Sequence, residues 1–588
     1  RCGAHPRILA AVARACAGEF DAEGGAVHRV DGRDKVTGRA CYTTDVRIDG
    51  LLEAAVLRSP HGNAVLERLD LDALSAAPGV RGVAAYLAPG GKARFAGQEV
   101  VAVAADTRAQ ALAAIEGATI AWRVLPPVVG LAAARAPGAA AVFPSKRALA
   151  EEAPSSAEGA TLPGGLSGNV RGPIRLPFAK AGAVDDRVAA ARTGGVVVDG
   201  TWTAQTQCHT ALEPHAAVAD WSANGLEVWV STQSVFDLAG DLAEHYELKR
   251  EQVRVYADFV GGGFGGKGGL HMETRIAVDL ARVARAPVRV VLDRAAEIAV
   301  GGVRPGVEVD LTLAAFPAGE LAGMKGAAWA DGGVSVGAAT IGLARLLYDS
   351  PYKDLVDYDV LSNAPPVKAM RGPGGPAMLW AVEQAVDEVA WARGEDPVAI
   401  RRRWTPNHAN RLRLYDWVDA LPAWRDRAKA AGADKGRYRR GIGLATGVWL
   451  PLVQTGVEVR IEASRDGLVA ASACQDMGNG SKTVVATAVA EALGIGVSDV
   501  RVRFGDSADP VGPFSGGSRT AVSIGPAATD AARQLHEALV EAAEDRLGLV
   551  DAVAAPGGVK HAGGFVTIAD LLKAGPPITV TGRRKRDP

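Results

Sequence analysis

The residues best suited to chemistry lie in glycine-rich loops. Residues 260–267, VGGGFGGK, place five glycines in six positions. With no Cβ in the way, backbone N–H groups there converge on an anion or oxo group and form a concave binding site. Gly262, Gly263 and Gly265 would surround a lone Phe264, although a tight turn around a core phenylalanine explains the same residues. Residues 369–376, AMRGPGGP, lead into a helical run, so Arg371 beside an open helix N-terminus offers a site for a phosphate or polarised oxygen. Alone, that arginine reads as a surface residue in a turn. A third region pairs DMGNGSKT (476–483) with GDSADPVGPFSGGSRT (505–520). It offers Gly478, Asn479 and Gly480, then Gly517, Ser518 and Arg519, as donors. Helix caps account for Ser481 and Ser518, but four donor-rich loops in one chain ask for a large ligand with many phosphates or heteroatoms.

Three alternatives lose support on spacing. GGGFGGK lacks the Ser or Thr and the spacing of a nucleotide-triphosphate loop. No glycine pattern matches a dinucleotide fingerprint with an acidic residue about 20 positions on. Ten histidines without paired spacing and five scattered cysteines, Cys2, Cys16, Cys41, Cys208 and Cys474, give no metal-ligand motif, so any metal must arrive with its own ligands.

The elements that must position these loops are mixed. Residues 1–16 read as a turn and a helix fragment, with Ile8, Val12 and Ala15 on one face. Short strands and helices from 30 to 130 predict a small α/β domain. Residues 131–168, dense in Ala, Gly, Pro and Ser, read as a linker. From 169 to 435, strands such as LEVWVS (226–231) and VRVYADFV (253–260) accompany a helix over 378–394. Leu379, Val382, Val386 and Val389 form its apolar stripe, Gly394 its cap, and Pro397 blocks its continuation. A second large unit runs from 436 to 588, with a helix carrying Val485, Val489 and Leu493 on one face. The fold class is α+β, a chain of 588 residues requiring more than one core.

Composition narrows the partners. Lys plus Arg total 65 against 66 Asp plus Glu, which leaves no electrostatic footprint for nucleic acid or anionic lipid. No apolar run reaches the roughly 20 residues that span a bilayer. An odd number of dispersed cysteines fits a reducing, cytoplasmic compartment rather than a disulfide framework.

Taken in order, GRDKVTG (32–38), EAAVLRSPHGNA (53–64), GQEVVAV (97–103), HTALEPHAAVADW (209–221), STQS (231–234), VGGGFGGK, AMRGPGG, DMGNGSKT and GDSADP…GGSRT resemble the xanthine dehydrogenase/aldehyde oxidase family of molybdenum hydroxylases. The resemblance runs from about residue 30 to the end. It implies an α/β hammerhead-like domain (30–130) followed by two cofactor-binding domains (169–435 and 436–588), the second incomplete. It implies molybdenum held by a pterin dithiolene, with the cytosine dinucleotide form expected by analogy with bacterial-type relatives. Gln233, 31 residues before Phe264, would hydrogen-bond an oxygen ligand of the metal. Phe264 and Gly265 would face it, the backbone of Arg371 would approach it, and Gly517, Ser518 and Arg519 would hold the pterin and its phosphate. Asn479 stands where a glutamine is usual. RCGAHPRI (1–8) is similar to the last turn of a helical two-iron, two-sulfur domain, with Cys2 as a remnant ligand.

The implied reaction hydroxylates an aldehyde or N-heteroaromatic carbon with oxygen from water, electrons leaving through iron–sulfur centres in a partner domain or subunit. A flavin subunit and a homo-oligomeric full-length protein belong to the same expectation. Purine-oxidising members place a glutamate after the loop lysine and an aromatic ring after the arginine–glycine pair; here Gly268 and Pro373 stand there, so purine is disfavoured. Arg345 reads as a surface or ion-paired residue rather than a substrate contact. The family's general base is a glutamate in a Gly-Glu segment of the second domain, and 436–588 contain none. Glu213, Glu273 and Glu383 read as structural carboxylates. The resulting expectation is a piece of an enzyme that binds cofactor and turns over little. The alternative is a catalytically incompetent protein that only binds it.

Overall fold

The structure is a computed structural model. It describes Ala13, residues 28–153, 164–336 apart from 177 and 179, 340–428, and 432–586 apart from 434, 451 and 574. Cys2, Cys16 and the expected helix face of residues 1–16 lie outside the described residues. Two compact units are present. One comprises Tyr42–Val453 with Phe514–Arg519; the other comprises the described residues up to Cys41, Gln454–Pro513 and Thr520–Pro588.

In the larger unit a seven-stranded sheet runs in the order Val253–Tyr256, Gly225–Val230, Ala216–Ser222, Val288–Val291, Leu52–Arg58, Glu99–Ala105, Val80–Ala85. Leu52 pairs in parallel with Val288, so strands from before residue 106 and after residue 215 form one sheet. That corrects the division at 130. The sequence EVVAVAA is buried at every position of Glu99–Ala105, and a strand buried on both faces requires partners along both edges. A six-stranded sheet, in the order Leu166–Ser167, Val170–Arg175, Lys353–Leu361, Leu321–Gly333, Val307–Ala315, Val196–Ala204, packs on helix Gly375–Arg393. In that helix Val382, Val386 and Val389 are buried, and Gly394 ends it in the left-handed conformation. Pro397 stops that helix and opens the next, Pro397–Trp404.

The reading of 131–168 as a linker is also corrected where residues are described. Helices Leu131–Arg135 and Lys146–Glu152 flank Val142 and Phe143, which with Leu149 join a core of Phe95, Val334, Val336 and Leu361. Three large apolar side chains outweigh an alanine-rich composition, each contributing about 1.5–3 kcal/mol on burial.

In the smaller unit a four-stranded sheet, Val500–Phe504, Gly467–Ser472, Glu458–Ser464, Ile578–Arg583, is covered by helices Ser481–Leu493 and Thr520–Leu547. Its core begins near Gln454 rather than 436. No described helix is long and apolar enough to cross a membrane.

Candidate functional site

In the larger unit strand Gly225–Val230 delivers Ser231, Thr232 and Gln233 to the glycine-rich loop, which connects strand Val253–Tyr256 to helix Met272–Ala284. Gln233 is buried. Its Oε1 accepts from Gly265 N–H at 2.8 Å and Lys267 N–H at 3.2 Å, and its Nε2 donates to the Ser515 carbonyl at 2.7 Å. Backbone bonds Gln233 N–H to Lys267 O and Ser515 N–H to Gln233 O, each 2.8 Å, close the junction. One amide thus fixes two loops. Phe264 takes φ 58°, a conformation costly for a bulky residue and held only where surroundings dictate it. Its carbonyl accepts from Arg371 N–H at 2.7 Å, and the Arg371 guanidinium lies 5.2 Å from its ring centroid. At Gly265 (φ 108°) a Cβ would come within 2.2 Å of the Ala369 carbonyl. Glycine there permits the 260–267 and 369–376 loops to touch.

Sequence reasoning read Glu213 as a structural carboxylate but missed the network through which it braces these loops. Lys267, the most phosphate-like residue of GGGFGGK, is buried and turned inward. Its Nζ donates to the Glu213 carbonyl and Ser231 Oγ, both at 2.7 Å, and lies 3.6 Å from the Glu213 carboxylate. Glu213 also accepts from Gly261 N–H and Ser231 Oγ at 2.6 Å and Thr43 N–H at 3.2 Å. Both ends of the loop therefore close on one ion pair, and burial pulls the Lys267 ammonium below its usual range against the pull of Glu213. His209 spans Gly302 O (3.1 Å) and Ala369 O (2.7 Å) and packs its ring where Gly266 leaves space. A buried, hydrogen-bonded glutamate four residues after a histidine in HTALE was the available signal.

Phe514–Arg519 completes the cluster. Ser518 takes φ 59°, Arg519 Nε donates to Gly516 O at 3.1 Å, and Gly517 O accepts from Trp449 Nε1 at 2.9 Å. Trp449, unmarked by any motif, also faces Gly372. Phe514 fills the space that a side chain at Gly268 would enter, with ring atoms 2.9 Å from a built Cβ. Pro373 is exposed beside Gly372. Among the described residues, the N–H groups of Gly262, Gly263, Phe264, Gly517 and Ser518 have no protein acceptor. Unspent donors in a Cβ-poor cradle suit an oxygen-rich or phosphate-bearing cofactor.

The smaller unit holds the remaining loop. Asp476, not Ser481, organises it: Oδ1 accepts from Gly478 and Gly480 N–H at 2.9 and 3.3 Å, and Oδ2 from Lys482 N–H at 3.1 Å. Asp476 is nearly inaccessible and carries an ion pair from Arg29. Ser481 Oγ is buried with no partner and Gly480 is the N-cap, so the cap expected from Ser481 is absent. Nor is Ser518 a cap, since Thr520 opens the next helix. Asn479 is exposed. An orphaned hydroxyl beside an open helix terminus is consistent with a phosphate-bearing ligand.

The other carboxylates sit elsewhere. Glu383 is buried against Tyr348 Oη, Arg401 Nε (2.9 Å) and Thr446 N–H (2.6 Å). Glu273 is buried in helix Met272–Ala284. Arg345 is exposed at the end of turn Thr340–Leu346.

Residues 171–405 and, separately, 418–586 match families of molybdopterin cofactor-binding domain. Residues 418–453 thus match the second family while packing in the larger unit. The aldehyde oxidoreductase molybdenum-binding subunit PaoC of Escherichia coli is 31% identical over 350 residues, 57% of this chain and 47% of that protein. The chain therefore spans about half the length of that relative. The xanthine dehydrogenase molybdenum-binding subunit of the same species is 27% identical, covering 87% of this chain and 72% of that protein. In fold, quinoline 2-oxidoreductase of Pseudomonas putida superposes with a TM-score of 0.80 at 23% identity, over 95% of this chain and 78% of that one.

Proposed function

The chain belongs to the xanthine dehydrogenase/aldehyde oxidase family of molybdopterin-binding large subunits, and from that premise we propose that its Gln233–Phe264–Arg371 cluster seats the pterin-borne molybdenum for hydroxylation of an aldehyde or N-heteroaromatic carbon. The observation that carries this reading is the Gln233 amide, which joins the 260–267 loop to Ser515 around five unspent backbone N–H groups.

When bound, the cofactor supplies the two-electron redox chemistry and water the oxygen atom. The residues of the chain bind and orient. Gly262, Gly263 and Phe264 offer N–H donors to oxygen ligands; Gly517, Ser518 and Arg519 offer donors to the pterin and its phosphate. In the smaller unit the Gly478 and Gly480 N–H groups are spent on Asp476, which leaves exposed Asn479 and the orphaned Ser481 hydroxyl as the groups that loop offers. Phe264, Trp449 and Phe514 keep water from one side of the cluster. With Phe514 against Gly268 and Pro373 after Gly372, the site favours an aldehyde or small heteroaromatic over a purine. Proton acceptance is a role none of Glu213, Glu273 and Glu383 can fill, the first and last being bound to buried partners and all three inaccessible.

The proposed wider assembly passes electrons to iron–sulfur centres of a partner domain or subunit and on to a flavin subunit, with a pterin in the cytosine dinucleotide form; the dispersed cysteines support a reducing, cytoplasmic compartment for it. A second reading, a cofactor-binding protein without turnover, is favoured by the burial of Glu213, Glu273 and Glu383.

The deciding experiment is molybdenum analysis with oxidised-pterin fluorescence on the full chain, expressed with cofactor-maturation machinery. About one molybdenum per chain is expected, falling at least tenfold in Gly265→Val, whose side chain meets the Ala369 carbonyl. Molybdenum absent from folded wild-type protein, or unchanged in the variant, would sink the proposal.

A further inference from the structure

Beneath the glycine-rich loop lies a second polar cluster that the cofactor site does not use. His215 Nδ1 lies 3.0 Å from the Glu297 carboxylate, and its Nε2 lies 2.9 Å from the Gly266 carbonyl. The ring of His271 is 4.9 Å away, centroid to centroid. His271 Nε2 is buried with no partner, while its ring meets the Gly268 backbone through the other nitrogen. Glu273, two residues on, is buried, and among the described residues neither it nor Glu297 forms an ion pair with Lys or Arg. A cavity of about 20 Å³ is lined by His271, Glu273, Arg58 and Glu99, and Arg58 is taken up by Glu99. One atom of each of His215, His271 and Glu273 falls within 4.8 Å of the others.

We propose that His215, His271 and Glu273 form a buried zinc(II) site that braces the 260–267 loop from below. Three features converge on a missing cation. First, a neutral histidine that gives its Nδ1–H to a carboxylate presents a bare Nε2 lone pair, the arrangement that orients metal-ligating histidines; here that lone pair would face the Gly266 carbonyl, a repulsive contact unless a cation or proton lies between. Second, the His271 lone pair is orphaned, and a buried polar atom without a partner costs about 1–3 kcal/mol. Third, the Glu273 carboxyl is buried and, among the described residues, takes no ion pair from Lys or Arg, so a divalent ion would supply a partner that the protein does not. Two imidazoles and one carboxylate suit zinc, with the Gly266 carbonyl or a water as a fourth ligand. His-x-Glu across a helix start and a histidine 56 residues earlier share no motif spacing, so no local pattern marks them.

The rival arrangement is metal-free, with His215 as imidazolium and Glu273 protonated toward His271. The two are separated by titrating the full chain with zinc(II) alone after chelator treatment, and with cobalt(II) as a spectroscopic stand-in, while counting zinc and molybdenum in the same sample. We expect about one zinc per chain that survives gel filtration, and visible cobalt bands. Both should be lost in His271→Ala, and affinity should fall at least tenfold in Glu273→Gln, which keeps the packing volume. His408→Ala, at an exposed histidine, should bind as wild type. Absence of zinc from wild type above the His271→Ala background, or zinc retained equally by that variant, overturns the proposal. Because molybdenum is counted separately, its absence bears on the cofactor reading and leaves the zinc result intact.

Discussion

At the scale of single residues, the decisive difference is between groups that hold the loops and groups that face the ligand. Lys267 holds. Replacing it by Met removes the cation from a buried Glu213 and should destabilise the chain by about 3 kcal/mol, as breaking one partner of a buried pair does; urea denaturation measures this. Arg519, half-exposed, bound to the nearby Gly516 carbonyl and stacked over the Phe514 ring, faces. Arg519→Ala should leave stability within about 0.5 kcal/mol while lowering retained cofactor, read as pterin fluorescence per folded chain. The opposite pattern, a stable Lys267→Met that has lost cofactor, would restore the phosphate role that GGGFGGK suggests on paper. Gln233 does both. Gln233→Leu strands the Gly265 N–H and frees Ser515, so a loss of about 1–3 kcal/mol should accompany a loss of bound molybdenum.

At the scale of elements, strand Lys353–Leu361 carries Asp357 to the turn Thr340–Leu346, whose Ile341 N–H it accepts at 3.1 Å. Burial, reinforced by Asp359 and opposed by the Ile341 bond, pushes this carboxyl from 3.8 up to about 7. Between those values the native chain keeps a proton that the unfolded chain has released. Its contribution is therefore full below pH 4 and lost as pH rises through 7. Wild type minus Asp357→Asn should drop by about 3 kcal/mol in unfolding free energy from pH 5 to pH 8; a difference that is flat or rises would exclude a protonated Asp357. The helices and their stripes were legible because Val382, Val386 and Val389, or Val485, Val489 and Leu493, repeat at the helical period. The cofactor loops were legible because glycine has few other reasons to cluster. What sequence could not show was long-range: that Leu52 pairs with Val288, that Phe143 anchors an alanine-rich stretch, that Asp476 rather than Ser481 caps its helix, and that Trp449 reaches Gly517. Periodicity reports which face is buried, and says nothing of what buries it.

At the scale of the whole molecule, the larger unit presents loops of open N–H donors, while among the described residues Glu213, Glu273 and Glu383 are all buried. General-base catalysis contributes about 10²–10⁴ in rate, so if none of these three carboxylates serves, the proposed site should turn over slowly but not be dead. Glu213 cannot substitute, since its oxygens already accept from Gly261, Ser231 and Thr43. Glu383 is held by Arg401 and Tyr348. Turnover at the proposed site should then be rescued from outside. With the molybdenum-loaded 588-residue chain, aldehyde oxidation measured with an artificial electron acceptor should increase in proportion to added imidazole or phosphate base at constant pH and ionic strength. Chain lacking molybdenum should show no such increase. Turnover that is fast and indifferent to buffer base, with a pH profile set by one ionising group of the protein, would mean that a base is already in place and that the scaffold reading is wrong.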